Sequence, residues 1–221
     1  MLRIRENHLP LSDTLIESLI ATEQNPRYHA EGNVYNHTLL VLEQYKQHRE
    51  RFNLTQEESD ILYWVCILHD IGKPKVTQWT NGRWSAKGHE KAGVPMAREI
   101  LLKQPEVTAA QRHQILDLIR WHNAPLRWIV NNKPIDVYRK MATRVNLRLL
   151  GIFAYFDILG RICEQKTEIL DGVEAFLEIY IPQIEQELGT YEQLQSQYKQ
   201  AGLQKKNAIW SALKQSDSRL L

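Results

Sequence analysis

The sequence predicts an all-α fold, a bundle of helices with one short β-hairpin near residues 76–86, and three observations lead there. Apolar residues recur at spacings of three and four through most of the chain. Thr55 and Thr108 each precede a Glu or Gln by three residues, the spacing of a capping box. The only convincing strand signal is the pair of short runs around Asn81-Gly82. With 221 residues and no repeat, low-complexity tract or Pro/Gly/Ser-rich linker, one domain over residues 1–221 is expected. Such a chain can bury roughly 70% of its unfolded surface without disulfides or structural metal.

Taken in order, Ser12 is placed to cap a first helix bearing Leu15, Ile16, Leu19 and Ile20. A second, from about Val34 to Arg51, carries Val34, Thr38, Val41 and Tyr45 on one side and His37 in its first turn. The Thr55 box opens a third, whose Ile61, Trp64, Val65 and Leu68 face inward and which delivers His69 and Asp70 at its end. Gly72 is read as the residue that ends this helix. Val76–Thr80 and Arg83–Ala86 then flank Asn81-Gly82 as a two-residue hairpin.

A helix from about Gly88 to Leu102 starts with His89-Glu90 and contains Pro95, a point of kinking. The Thr108 box opens a helix ending near His122, with Ile115, Leu118, Ile119 and His122 on one stripe. Pro125 and Pro134 bracket an irregular segment before a short helix at about Val137 to Thr143. From Asn146 to Glu164, Leu147, Leu150, Ala154, Asp157 and Arg161 share a face. Ile169–Leu188 and Tyr191–Leu213 read as C-terminal helices with polar outer faces.

Composition narrows the function classes. A net charge of +2 is too small for the global field of a non-specific nucleic-acid binder. One local basic stretch, Arg112, Arg120, Arg127, Lys133, Arg139, Lys140, Arg144 and Arg148, reads either as a polyanion-binding region or as a solvated face. No apolar run approaches the ~18 residues that span a bilayer, and Met1–Asn7 lacks a signal-peptide core, so a cytoplasmic protein with no membrane partner is expected. Cys66 and Cys163 lie in apolar helical patterns, which suits core packing in a reducing compartment.

Metal-capable side chains are the chemical signal. His69 and Asp70 are neighbours, and neighbours on a helix diverge by about 100°, so one ion held by both needs them where helical geometry ends. Asp157 sits in an apolar stripe, where an ionised carboxylate costs several kcal/mol unless a cation or strong hydrogen bonds offset it; Arg161, one turn later, is one such partner. His37, His69, His89 and His122 each also have a reading as helix-terminal or core imidazoles. Together these six His and Asp residues recur at element ends or inward faces, where a bundle brings several elements to one point. His8, His29, His48 and His113 fall outside the pattern and read as surface or structural. Trp79 and Trp84 would pack across the hairpin, or stack a base or cover a pocket.

The order His37, His69-Asp70, His89, His122, Asp157 resembles the HD superfamily of metal-dependent phosphohydrolases. Leu68-His69-Asp70-Ile71-Gly72-Lys73-Pro74, Gly88-His89-Glu90-Lys91-Ala92-Gly93, Trp121-His122 and Asp157-Ile158-Leu159-Gly160-Arg161 are similar to the HD domains associated with bacterial tRNA nucleotidyltransferases. The resemblance runs from about Asn33 to Arg161. It implies an HD-type bundle with its core at about 33–164; residues 165–221 are read as a C-terminal helical extension, and no nucleotidyltransferase domain is expected.

By position, the resemblance makes His37, His69, Asp70 and Asp157 ligands of one divalent ion, with His89 and His122 holding a second bridged through Asp70. Imidazole with carboxylate suits Mn, Fe, Co, Ni or Zn better than Mg; one ion or two is expected, and the two additional histidines favour two. Asp70 and Lys73 are the catalytic candidates. Lys73 and Arg161 are candidates for a substrate phosphate, Lys73 otherwise being a solvated lysine and Arg161 otherwise orienting Asp157. Glu90 reads as a helix N-terminal charge or an outer partner of the site.

The implied activity is hydrolysis of phosphoester bonds in nucleotides or RNA ends, with a 2′,3′-cyclic phosphate, a 2′-phosphate or a nucleoside monophosphate as substrate. Water activated by the ions is the nucleophile, so no nucleophilic side chain is needed. The competing class is a non-catalytic nucleotide-binding or regulatory HD module working with a partner kinase or ligase. In either case the C-terminal helices could serve a homodimer or a partner protein.

Overall fold

A computed structural model of the chain describes residues 9–131 and 133–217, with side chains as far as Gln204; His8 and Met1–Asn7 lie outside the described residues. Among the described residues the fold is all-α apart from one two-stranded sheet. Ser12 caps α1 (Asp13–Ile20), its side chain accepting from the Leu15 amide. Asn33 likewise caps α2 (Val34–His48), which tightens into a 3-10 turn at Arg49–Phe52. Both halves of the Thr55–Glu58 capping box form at the start of α3 (Gln56–Leu68).

One short turn, α4 (Lys73–Val76), leads to the hairpin β1 (Gln78–Thr80) and β2 (Arg83–Ser85), where Trp79 pairs with Trp84. Asn81 and Gly82 take φ of 52° and 72°, the doubly left-handed turn that matches strand twist. Val76 is therefore helical, and the hairpin is shorter than its sequence run: Pro74 sits in the first turn of α4, where its missing N–H is harmless. The sheet is followed by α5 (His89–Leu101) and α6 (Ala109–Trp121), the latter behind a complete Thr108–Gln111 box.

The segment expected to be irregular between Pro125 and Pro134 is largely helix. Pro125 occupies the first turn of α7 (Ala124–Val130), where a proline is tolerated, and α8 (Ile135–Ala142) begins right after Pro134. Then come α9 (Leu147–Leu159), α10 (Lys166–Ala175), a π-turn at Phe176–Tyr180, α11 (Ile181–Leu188) and α12 (Tyr191–Asp217). Cys66 is buried, whereas Cys163 is partly exposed just past α9 and is not a core residue; both are free thiols. No helix among the described residues is long and apolar enough to cross a membrane.

The whole of Leu149–Ile158 is buried, so α9 is the central helix, packed by α2, α3, α7 and α10. Full burial of Phe153 or Phe156 contributes about 1.5–3 kcal/mol each, and the packing aims Asp157, on the same helix, into the interior. Two glycines set how closely the site-bearing elements approach. A Cβ at Gly160 would lie 2.8 Å from the Val41 amide nitrogen, so α9 can end against α2 only with glycine there. At Gly72, φ is −80°; this is ordinary right-handed backbone and not the left-handed terminator expected. Its side chain is absent for another reason, since a Cβ would meet the His89 carbonyl at 2.2 Å.

Candidate metal centre

Helix ends converge as a bundle allows. His37 is in the first turn of α2, His69 caps the end of α3, His89 opens α5, His122 caps the end of α6, and Asp157 is in the last turn of α9. Asp70 lies in the turn after α3. All six side chains are buried; five converge around Asp70, and Asp157 joins them through His37.

Three of the imidazoles are oriented in the same way. Nδ1 of His69, His89 and His122 donates to the backbone carbonyl three residues earlier, Cys66 at 3.1 Å, Ala86 at 2.7 Å and Ile119 at 2.7 Å. A carbonyl only accepts, so Nδ1 carries a proton, and in the neutral ring this leaves the Nε2 lone pair directed into the cluster. His89 Nε2 and His122 Nε2 are 3.2 Å apart, close enough for the two nitrogens to share one proton or one cation. Asn123 Nδ2 also approaches His89 Nε2 at 3.1 Å and donates to Glu90 Oε1 at 3.3 Å.

Asp70 lies between two halves. Its Oδ2 faces His69 Nε2 at 3.2 Å and His37 Nε2 at 3.8 Å; its Oδ1 faces His89 Nε2 at 3.1 Å and His122 Nε2 at 3.7 Å. The His37–His69–Asp70 and Asp70–His89–His122 groups each place their ligand-type atoms within 4.8 Å of one another. Asp157 Oδ1 accepts from His37 Nε2 at 3.0 Å, while Arg161 donates to Asp157 through Nε at 3.1 Å and a terminal guanidinium nitrogen at 2.6 Å. Arg161 thus contacts both Asp157 oxygens.

Buried side-chain polar atoms that lack a hydrogen-bond partner, among the described residues, are His37 Nδ1, His69 Nε2 and Asp70 Oδ1. Leaving such groups unpaired costs roughly 1–3 kcal/mol each; His69 Nε2 and Asp70 Oδ1 lie within the cluster, whereas His37 Nδ1 faces the Glu31 carboxylate at 2.9 Å. Buried carboxylates and imidazoles with inward lone pairs are the donor set of a divalent transition ion. The residues present therefore fit a metal.

Electrostatics separate the groups. Burial pushes the Asp70 carboxyl up, but Lys73, His69 and His89 outweigh it and hold it well below the usual carboxylate range. Asp157 is likewise held low, burial being overcome by Arg161 and His37. His37 is raised, because the bond to Asp157 and the nearby Glu31 and Asp70 carboxylates outweigh burial. His122 goes the other way, lowered to about 3 by burial and by His89, so it is a neutral donor at physiological pH.

A cleft of about 720 Å³ opens onto this floor, with Asp70, Lys73, His89, Glu90 and Arg161 among its lining. Lys73 is buried, not solvated, its Nζ bonded to Asp70 Oδ2 at 2.7 Å and Gln24 Oε1 at 2.6 Å. Glu90 receives Asn123 and lies 3.6 Å from Arg127, an outer partner of the cluster. Trp84 lines the cleft and packs edge-on against Trp79, which is 59% exposed.

The basic stretch disperses. Arg112 caps the carbonyls of Leu101 and Val107, Arg139 pairs with Asp136 and Glu187, and Arg148 binds Glu58 and the Phe52 carbonyl; Arg120 and Arg127 are the members that reach the cleft.

Sequence reasoning missed residues ahead of α2. His29, read as surface or structural, is buried, and its Nδ1 donates to Glu31 Oε1 at 2.8 Å; that oxygen is also 2.9 Å from His37 Nδ1. His48 is partly exposed, and His113 is an exposed partner of Asp117 at 3.3 Å. Gln24, His29 and Glu31 lie in the loop between α1 and α2, without the periodicity that marks an inward face in a helix. Their only signal is proximity in sequence to His37.

The family model of the HD domain matches residues 34–162. Two curated relatives, each named "Multifunctional CCA protein" and from two strains of Pseudomonas aeruginosa, are 32% identical over 81 residues. That stretch is 37% of this chain and 17% of the relatives, so the chain spans well under two thirds of their length. No solved structure matches. The family match covers more than half of the chain and contains the entire His and Asp cluster, so this chain belongs to the HD domain family.

Proposed function

We propose that this HD domain is a metal-dependent phosphohydrolase acting on phosphoester bonds of nucleotides or RNA ends. The observation that carries the reading is Asp70, whose two carboxylate oxygens face two separate pairs of imidazoles at the floor of a cleft. His37, His69, Asp70 and Asp157 would hold one ion, and Asp70, His89 and His122 a second. Mn, Fe, Co, Ni or Zn suits this shell better than Mg. When bound, the ions would supply Lewis acidity toward phosphate and lower the pKa of water.

The chain's own residues do the rest. Lys73 Nζ, at 2.7 Å from Asp70 and inside the cleft, is placed to transfer its hydrogen bonds to a phosphate oxygen as a compact point charge. Arg161 keeps both Asp157 oxygens aligned. Arg120 and Arg127 on the cleft wall favour entry of an anion. The resemblance to the multifunctional relatives favours an RNA end, with a 2′,3′-cyclic phosphate or 2′-phosphate as the scissile group.

The test is a phosphate-release screen over 2′,3′-cyclic nucleotides, 2′-, 3′- and 5′-monophosphates and triphosphates, with Mn, Co, Ni and Mg supplied separately. Release that requires a transition ion and vanishes in Asp70→Ala supports the reading. Bound metal with no turnover on any substrate would transfer support to a regulatory HD module.

A further inference from the structure

Three of the four clustered histidines are oriented by a carbonyl one turn earlier, and His37 is the exception. It sits in the first turn of α2, and the carbonyl three residues before it, Val34, receives the Thr38 hydroxyl at 2.9 Å. What faces its Nδ1 is the Glu31 carboxylate, at 2.9 Å and off the line of the ring N–H.

Glu31 is built into place. Its side chain is 2% exposed. Oε1 accepts from His29 Nδ1 at 2.8 Å and Oε2 accepts from the Ile162 amide at 2.9 Å. Its own carbonyl receives Asn36 Nδ2 at 3.0 Å, and the neighbouring Ala30 amide donates to the Ile162 carbonyl at 2.9 Å. Ile162 follows Arg161, the residue that clamps Asp157. One carboxylate therefore ties together the element carrying His37 and the segment that follows Asp157. Glu31 lies outside the range matched by the HD domain, 34–162.

We infer that Glu31 is a positioning residue for His37: its buried carboxylate sets the His37 ring with Nε2 inward and strengthens that nitrogen as a ligand, with His29 holding the carboxylate in register. This rests on the metal reading above. A charged partner behind a ligating imidazole raises ligand basicity and fixes ring orientation, and losing one costs about 10–100-fold in metal affinity. The site of this protein thus begins before α2, in a segment the family match does not include.

The experiment is Co2+ affinity by competition with a chromophoric chelator, together with the Co2+ absorption spectrum, on wild type, Glu31→Gln and Glu31→Asp. Val173→Ala, in the core on α10, serves as a structural control. Glu31→Gln is expected to bind Co2+ about 10–100-fold more weakly with an altered spectrum. Glu31→Asp, which keeps the charge, should lose less, and Val173→Ala should lower Tm while binding as wild type does. Wild-type affinity and spectrum in Glu31→Gln would overturn the inference, as would equal losses in Gln and Asp or an equal loss in Val173→Ala. Wild-type protein that binds no Co2+ would instead overturn the metal reading itself.

Discussion

Asp70 Oδ1 lies 3.1 Å from His89 Nε2 while its other oxygen lies 3.2 Å from His69 Nε2, so one carboxylate joins two halves of the cluster. Asp70→Ala removes the shared group and should abolish phosphate release. Several kcal/mol of transition-state stabilisation are at stake, a loss on the order of a thousand-fold or more. Release measured beside circular dichroism separates loss of chemistry from loss of fold; unchanged release would point to a contaminating activity.

Lys73 is held by Asp70 and Gln24 in the cleft. Lys73→Met keeps the length and loses the charge. If the ammonium binds substrate phosphate, kcat/KM should fall about 10–100-fold, the worth of one hydrogen bond to a charged group, while bound metal is retained. Steady-state kinetics with metal analysis on the same samples checks this, and an unchanged kcat/KM would confine Lys73 to neutralising Asp70.

Gly72→Ala tests the close approach that brings Asp70 to His89. The new Cβ would meet the His89 carbonyl at 2.2 Å and the Gly93 amide nitrogen at 2.5 Å, both backbone atoms with little freedom to move. Overpacking of this kind costs about 1–3 kcal/mol. Denaturant unfolding should show that loss together with weaker metal binding; an unshifted midpoint would mean that α5 can give way.

Much of this arrangement was legible in the residues. Both capping boxes, the Asn81-Gly82 turn and the stripes on α6 and α9 follow from local rules, which is why His122 and Asp157 could be aimed inward. Gly72 was misread because sequence shows that a glycine is needed without showing whether a left-handed φ or a neighbouring backbone requires it. The Pro125–Pro134 segment was misread because a proline punctuates equally well before a helix and inside its first turn. His29 and Glu31 were missed because inward direction in a turn is set by tertiary hydrogen bonds, here to Ile162, which lies 131 residues beyond Glu31.

Metal-free protein should lose stability as pH falls from about 6.5. His29 is held down to about 3, mainly by burial and then by Lys73, and His122 to about 3 by burial and His89. Both are neutral when folded and become protonated when unfolded near pH 6.5. The unfolded state therefore binds more protons between about 6.5 and 3, and stability declines through that window. His37 is raised and opposes this only above 6.5, and the depressed carboxylates act only near and below their ordinary values. Unfolding midpoints with a chelator present, from pH 6.5 to 5, should fall in wild type and fall less steeply in His29→Gln. Parallel slopes would show that His29 does not carry the effect.

Elemental analysis of purified wild type beside a His89→Ala, His122→Ala variant tests the shared carboxylate most directly. Two metal equivalents per chain that drop to one in the variant are the expected result. Equal metal content in the two proteins would contradict it.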